Sequence, residues 1–314
     1  MSIRAALASE VFLIYLAVGG GVLIVGGIVI GLMRAGGRNV GSVWRTYCGW
    51  LMMAPLLFGA ILLGRDATIA GLTLVAILGF KEFARATGLY DDWWMTGTVY
   101  VGMLGIATVS MVDDPRWGQH GWYGLFMALP AYTVAAILLV PIFRNRAKGQ
   151  LQSVALAILG FVYFGWMFGH LAFLANASHA YGYLLYVIFA VEVNDIAAFV
   201  CGKLFGRRKL RAAISPNKTV EGALGALAIS MAMPWALRFS FPHFGAFELV
   251  LAGVIVGVGG QFGDLAISII KRDIGIKDMG AVVPGHGGIL DRIDSLIFVA
   301  PFFFHMVRWF HGLQ

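Results

Sequence analysis

Ten stretches of this chain are almost wholly apolar, and its charged residues gather between them. The stretches are 11–33, 47–64, 68–80, 93–112, 122–143, 151–175, 181–200, 222–239, 247–270 and 293–307. A helix rises ~1.5 Å per residue, so about 18 or more apolar residues suffice to cross the ~30 Å hydrocarbon core of a bilayer. The pattern predicts an all-α polytopic membrane helix bundle of about nine to ten transmembrane helices. The 68–80 run is short for a crossing, so it is expected either to be re-entrant or to be lengthened by its neighbours. The first run is longer than a signal-peptide core and reads as a retained helix.

Composition narrows the class further. Of 314 residues, 60% are hydrophobic and 12% charged, about half the ~25% charge of an average soluble domain. The 42 glycines have no three-residue period, which excludes a collagen-like chain, and glycine is frequent in membrane helices. Two cysteines, Cys48 and Cys201, are too few for a disulfide framework and stand in unrelated contexts, so they read as small packing residues. Residues 1–180 are taken as N-terminal scaffold helices and 181–314 as the helices carrying the site, within one integrated membrane domain.

The formal charge of +7 changes the picture through its distribution. If the gaps between spans alternate sides, one side collects 18 of the 23 basic residues and the other only Arg4, Arg65, Arg116, Arg238 and Arg308. The positive-inside rule makes the first side cytoplasmic and puts both termini outside if ten spans cross. Topology alone accounts for the first three cytoplasmic loops. The last two mix Lys and Arg with Asp, His, Pro and Gly, which orientation does not require.

Four constellations carry candidate chemistry. Glu192 and Asp195 lie three apart near the end of a span, so they share a helix face and are expected to meet a polar cavity or a cation. Ser215-Pro216-Asn217-Lys218-Thr219 reads as an N-cap and first helical turn, whose free N–H groups would suit a phosphate. On the next helix Asp264, Ser268 and Lys271 project to one side with Gln261 close by, a polar face that should line a cavity rather than meet lipid. Lastly, Lys277-Asp278 and a glycine-rich stretch around His286 precede Asp291, Arg292 and Asp294. Asp264 and Asp291, on two helices opening to the same side, form a candidate hard-cation site, because Mg2+ usually takes one or two carboxylates and leaves room for substrate phosphates. His286, set between glycines, reads as a phosphate-binding residue rather than an acid–base catalyst. His170, inside an apolar run, is a candidate for an interhelical hydrogen bond.

This equipment suits phosphoryl or nucleotidyl transfer at a membrane, with a lipid as one reactant. No Walker motif, no dinucleotide-binding GxGxxG after a strand and no HExxH is present, so the kinase, ATPase and metalloprotease templates fail.

The last two constellations resemble a known signature. Ser268-x-x-Lys271-Arg272, Lys277-Asp278, Pro284-x-His286-Gly287-Gly288-x-x-Asp291-Arg292-x-Asp294 is similar to that of the phosphatidate cytidylyltransferases, the CDP-diacylglycerol synthases, with Val283 a conservative departure. Asp195-x-x-Ala198-Phe199, Gly202-Lys203, Gly206 and Ser215-Pro216-x-Lys218-Thr219-x-Glu221-Gly222 extend the likeness over residues 195–295, whereas the N-terminal half resembles the family mainly through Glu82-Phe83. The resemblance implies CTP and phosphatidate as substrates, CDP-diacylglycerol and pyrophosphate as products, Mg2+ as cofactor, and in some members a monovalent cation such as K+. It implies that Asp264 and Asp291 hold the metal and act in catalysis with Lys271. Lys218, Lys271, Arg272, Lys277 and Arg292 would handle phosphates, Ser215 and Thr219 would shape the nucleotide loop, and Asp195, Ser268 and His286 would complete the substrate-binding set. The implied location is the cytoplasmic membrane with the active site facing the cytoplasm, with the lipid bilayer and no nucleic acid as partner. Two other readings stand beside it: a CTP-dependent synthase acting on another anionic lipid phosphate, and an ion-coupled transporter. Gly253-x-x-x-Gly257 suits close packing within one subunit, the favoured use, or between the subunits of a homodimer.

Overall fold

The computed structural model describes residues 1–116, 118–280 and 287–312. Its helices are α1 (Ile3–Ala8), α2 (Glu10–Ala35), α3 (Gly41–Leu63), α4 (Arg65–Ala86), α5 (Trp93–Met111), α6 (Tyr123–Phe143), α7 (Gln150–Gly160), α8 (Phe168–Phe173), α9 (Ala180–Phe205), α10 (Val220–Ala236), α11 (Ala246–Asp273) and α12 (Leu290–His311). A π-helical segment, Phe161–Met167, joins α7 to α8, so that Gln150–Asn176 forms one span. Among the described residues nine helices are long and apolar enough to cross a membrane, and α10 is a shorter apolar helix. The all-α polytopic bundle expected from the apolar runs is the observed architecture.

Two expected helix boundaries shift. The 68–80 run is the middle of a full 22-residue helix, α4. Its polar ends, Arg65 and Asp66 at one side and Lys81, Glu82 and Arg85 at the other, are helical too, and hydropathy does not register them. The helix expected to begin at Ser215-Pro216 begins instead at Val220. Ser215–Thr219 is a strand, β2, paired antiparallel with β1 (Lys209–Arg211). Thr219, with extended backbone, is the true N-cap: its Oγ1 accepts the Gly222 N–H at 3.1 Å. Val220 N donates to the Arg208 carbonyl, so at the start of α10 the amides of Val220 and Gly222 are spent on the hairpin and the cap.

Tertiary contacts sort the helix ends into two levels. At one end the last turn of α4 meets the start of α12, Arg144 after α6 forks onto Asp92 before α5 at 2.7 and 2.8 Å, and β2 meets the last turns of α11. At the other, Arg65 pairs with Asp113 at 2.9 Å, Tyr183 with His243 at 2.6 Å and Tyr15 with Ser240 at 2.8 Å. This up-and-down order places α10 among its neighbours with the polarity of a further crossing.

The core is a continuous aromatic and aliphatic cluster that includes Phe80, Phe83, Phe126, Phe164, Phe173, Phe303 and Phe304, and a smaller one around Phe12 and Tyr15 ties α2 to α9. Glycines bring α10, α11 and α12 into near contact. A Cβ on Gly253 would lie 2.8 Å from the Met231 Cα, and one on Gly263 would lie 2.7 Å from the Asp294 carbonyl oxygen. The Gly253–Gly257 pair is thus used within the chain, against α10. The bond His170 makes is not the interhelical one: its Nδ1 bonds the Trp166 carbonyl of its own helix at 2.8 Å, because residues four apart on a helix are already neighbours.

Candidate active site

Two lysine–carboxylate pairs form the centre of the site. Lys218, on β2, reaches Asp264 Oδ2 at 2.7 Å and donates to Gln261 Oε1 at 3.3 Å. Ser268, one turn after Asp264 on α11, donates to Asp264 Oδ1 at 3.1 Å. Lys271, one turn further, meets Asp291 Oδ1 at 2.9 Å across to α12, and both side chains are largely buried. The polar face predicted for α11 is therefore turned inward, toward β2 and α12. Charges so placed cost free energy unless paired and hydrogen-bonded, and both pairs meet that condition.

Asp291 is held on its other oxygen as well. Its Oδ2 accepts the amides of Met279 at 3.2 Å and Gly288 at 3.0 Å. Gly287 sits at φ +79°, a conformation suited to glycine, and closes the turn that delivers the Gly288 amide. Asp195 on α9 faces Ser295, Lys218, Asp264 and Arg292. Asp294, one turn beyond Asp291, is buried, and Asp264 and Asp195 are within its electrostatic reach.

Three buried donors on the helices that build this region have no acceptor. They are Gln261 Nε2, Asn194 Nδ2 and Arg292 Nε. The orientation of Gln261 is fixed by chemistry, since Lys218 can only donate and must meet the amide oxygen. Asn194 accepts the Ser230 hydroxyl at 3.1 Å, and its amino group lies against Gly260 of α11. Buried polar groups are normally satisfied, and of the three only the Gln261 amino group is tied to a lysine, through the Lys218 contact on its own amide oxygen.

The remaining predicted residues are spread more widely. Arg272 donates from Nε to the Ile214 carbonyl at 3.1 Å, which staples the β1–β2 hairpin to α11 rather than joining the carboxylates. Ser215 pairs with Arg211 in the hairpin and is not a helix cap. Thr219 lies at the junction with α10, and Lys277 is exposed on the segment after α11. His286 lies outside the described residues, as do Pro284 and Gly285.

One residue that reaches the site had no role assigned in the sequence reading. Glu82, at the cytoplasm-assigned end of α4 and only 8% exposed, accepts the amides of Ile289 at 3.0 Å and Leu290 at 2.9 Å. The available signal was the Glu82-Phe83 pair that resembles the family at the end of an apolar run, and nothing local connects it to positions more than two hundred residues away.

The sequence profile of the Cytidylyltransferase family matches residues 44–310. The chain belongs to this family. It is 36% identical over 255 residues to a protein named phosphatidate cytidylyltransferase from Staphylococcus aureus (strain COL), covering 80% of this chain and 94% of that one. A protein of the same name from Staphylococcus epidermidis is 40% identical over 262 residues, again 80% of this chain and 94% of that one. It is also 31% identical over 284 residues to the uncharacterized protein YnbB of Escherichia coli (strain K12), covering 88% of this chain and 91% of that one. The cytidylyltransferase match spans α4 as well as α9 to α12, so it contains both Glu82 and the lysine–carboxylate pairs.

Proposed function

We propose that the protein condenses CTP with phosphatidate to form CDP-diacylglycerol and pyrophosphate, a step of phospholipid biosynthesis, on the cytoplasmic face of the inner membrane. The observation that carries this reading is the pair of lysine–carboxylate contacts, Lys218–Asp264 and Lys271–Asp291, which join β2, α11 and α12. Family membership supplies the reaction class, and the names of the staphylococcal relatives support the lipid.

Both reactants are polyanions, so their approach in a region of reduced dielectric needs fixed positive charge. A non-bridging oxygen of the phosphatidate phosphate attacks the α-phosphorus of CTP. The bond from that phosphorus to the bridging oxygen of the β-phosphate breaks, and pyrophosphate departs on the opposite side. A phosphate monoester with a second pKa of ~6 is already ionised at neutral pH, so the step needs no general base. Lys218 and Lys271, with the donors of Gln261 and Arg292, would hold and orient the phosphate oxygens. The exposed Lys277 would meet the more solvent-accessible end of the nucleotide, and His286 is assigned a binding role. Asp195 and Ser268 would position these donors, and Ser215 and Thr219 would shape the hairpin that brings Lys218 in.

Asp264 and Asp291 are the residues that would hold a magnesium ion. They offer hard oxygen donors, and two carboxylates are what magnesium commonly takes from a protein when phosphates and water fill its other positions. Each already carries an ammonium group on one oxygen, a stand-in for a cation. When bound there, magnesium supplies positive charge against the phosphate oxygens. A monovalent cation such as K+ fits the same carboxylate-rich region, beside Asp195 and Asp294.

The test is incorporation of radiolabelled CTP into lipid by membranes containing the protein, with and without added phosphatidate and with EDTA. The expected result is a labelled liponucleotide that needs phosphatidate and a divalent cation and forms with equimolar pyrophosphate. Faster labelling with a different lipid phosphate would reassign the acceptor. Solute uptake by proteoliposomes without CTP turnover would overturn the enzyme reading.

A further inference from the structure

Two carboxylates from opposite halves of the chain organise the segment that leads into α12. Asp291 takes the amides of Met279 and Gly288, and Glu82 takes the next two, those of Ile289 and Leu290. α12 has no side-chain cap of its own, since Ile289 stands at that position. The first turn of a helix leaves N–H groups unpaired and carries the positive end of its dipole, so a buried carboxylate there is both an acceptor and a favourable charge. Glu82 thus acts as a cap supplied by another helix.

The backbone is shaped to receive it. A Cβ on Gly280 would lie 2.6 Å from Glu82 Oε1, and one on Gly288 would collide with Glu82 Oε2. Any side chain at either position would push the carboxylate away. The same Gly288 amide that follows this contact binds Asp291, so moving Glu82 moves the amides that fix Asp291, and through it Lys271.

We propose that Glu82 is a positioning residue for the reaction, setting Asp291 and Lys271 by clamping the first amides of α12. This rests on the function proposed above, since it names what a residue outside the lysine–carboxylate centre contributes to it. Glu82 touches no reacting atom. Its effect is geometric, and a misplacement of about 1 Å at a reacting centre costs about 100-fold in rate.

The experiment compares the parent with Glu82→Gln and Glu82→Asp in nanodiscs, measuring kcat, KM for CTP and amide hydrogen exchange. Gln keeps the size but offers one acceptor oxygen for two N–H groups and no charge. The expected result for Glu82→Gln is a kcat lower by about 10- to 100-fold, with a KM for CTP within about threefold. Exchange should speed up by about 10-fold or more at 287–293, the opening of a capped turn, and stay unchanged in α2 and α3. Glu82→Asp, which restores the charge, should fall between parent and Gln on both readouts. Should Glu82→Gln fail to insert, Gly288→Ala presses on the same contact from the other side, and its penalty should shrink in the Glu82→Asp background. Parental kcat in Glu82→Gln, or lost kcat with parental exchange at 287–293, would overturn the inference. The two proposals fail separately: a parent with no CTP-dependent product overturns the function, whereas exchange at 287–293 untouched by Glu82→Gln overturns the role of Glu82.

Discussion

The helix pairs α2–α3 and α11–α12 look alike by hydropathy and behave in opposite ways. The most apolar stretches of α2 and α3 average hydropathies of 2.5 and 1.7, yet only 11% of each is buried within the protein. Those of α11 and α12 average 1.7 and 1.4, and 56% and 61% of them are buried. In water the more apolar helix would be the more buried. In a bilayer lipid tails solvate leucine as well as another helix does, so apolarity gives no reason to associate. Helices associate where small residues permit close contact and polar residues need partners, and α11 and α12 have both in Gly263, Asp264, Lys271 and Asp291.

The contrast is broken most directly at the carboxylates. Asp264→Asn and Asp291→Asn should each lower CTP-dependent lipid labelling by about 10²–10³-fold, the scale seen when a preorganised electrostatic group is removed, while the protein still inserts. Full activity in either would remove that residue from the centre. Next in size is Gly263→Ala. Its methyl group would meet backbone atoms of Asp294 and Ser295 at 2.7 and 2.8 Å, so α11 and α12 must separate. A loss of about 1–3 kcal/mol is expected from such overpacking, read as a lower thermal midpoint in detergent, and an unchanged midpoint would show that the contact is slack.

A smaller effect is expected at the opposite end of the same helices. His243, between α10 and α11, is pushed down to about 4 from its ordinary 6.5 by burial, then by His179 and His311. A depressed histidine contributes stability that is complete above pH 6.5 and is lost as pH falls through about 4. Acidification across that window should therefore lower the thermal midpoint of the parent more than that of His243→Gln. Equal acid sensitivity would assign the loss elsewhere. The smallest effect belongs to α2: Ile24 is 65% exposed to the bilayer, and Ile24→Ala should leave labelling within about twofold and the midpoint almost unchanged, as surface substitutions do. A large effect there would mean that α2 has a protein partner.

The bundle was readable because its signal is local. Each apolar run is recognisable by itself, and the polar face of α11 follows from residues three and four apart, Asp264, Ser268 and Lys271. The start of α10 was misread at Ser215-Pro216 because a serine–proline pair suits a helix start and a strand equally, and the pairing of Arg211 with Ser215 decided between them. α4 looked short because its charged ends are invisible to hydropathy while remaining helical. Glu82 was legible through the Glu82-Phe83 resemblance at the end of an apolar run, but without a role, since its partners are amides, and backbone amides leave no mark in a sequence.

The sequence by itself determined that the chain enters the bilayer as helices, about nine to ten of them able to cross, and which end of the bundle collects positive charge. Hydrocarbon forces every backbone group to be satisfied within its own segment, so composition over about twenty residues is sufficient information. Tertiary structure decided which cation meets which carboxylate, that Arg272 staples a hairpin, and that α4 caps α12. Those outcomes depend on how helices pack across long separations in the chain, and the small residues and buried polar groups that set the packing act only once their partners are in place.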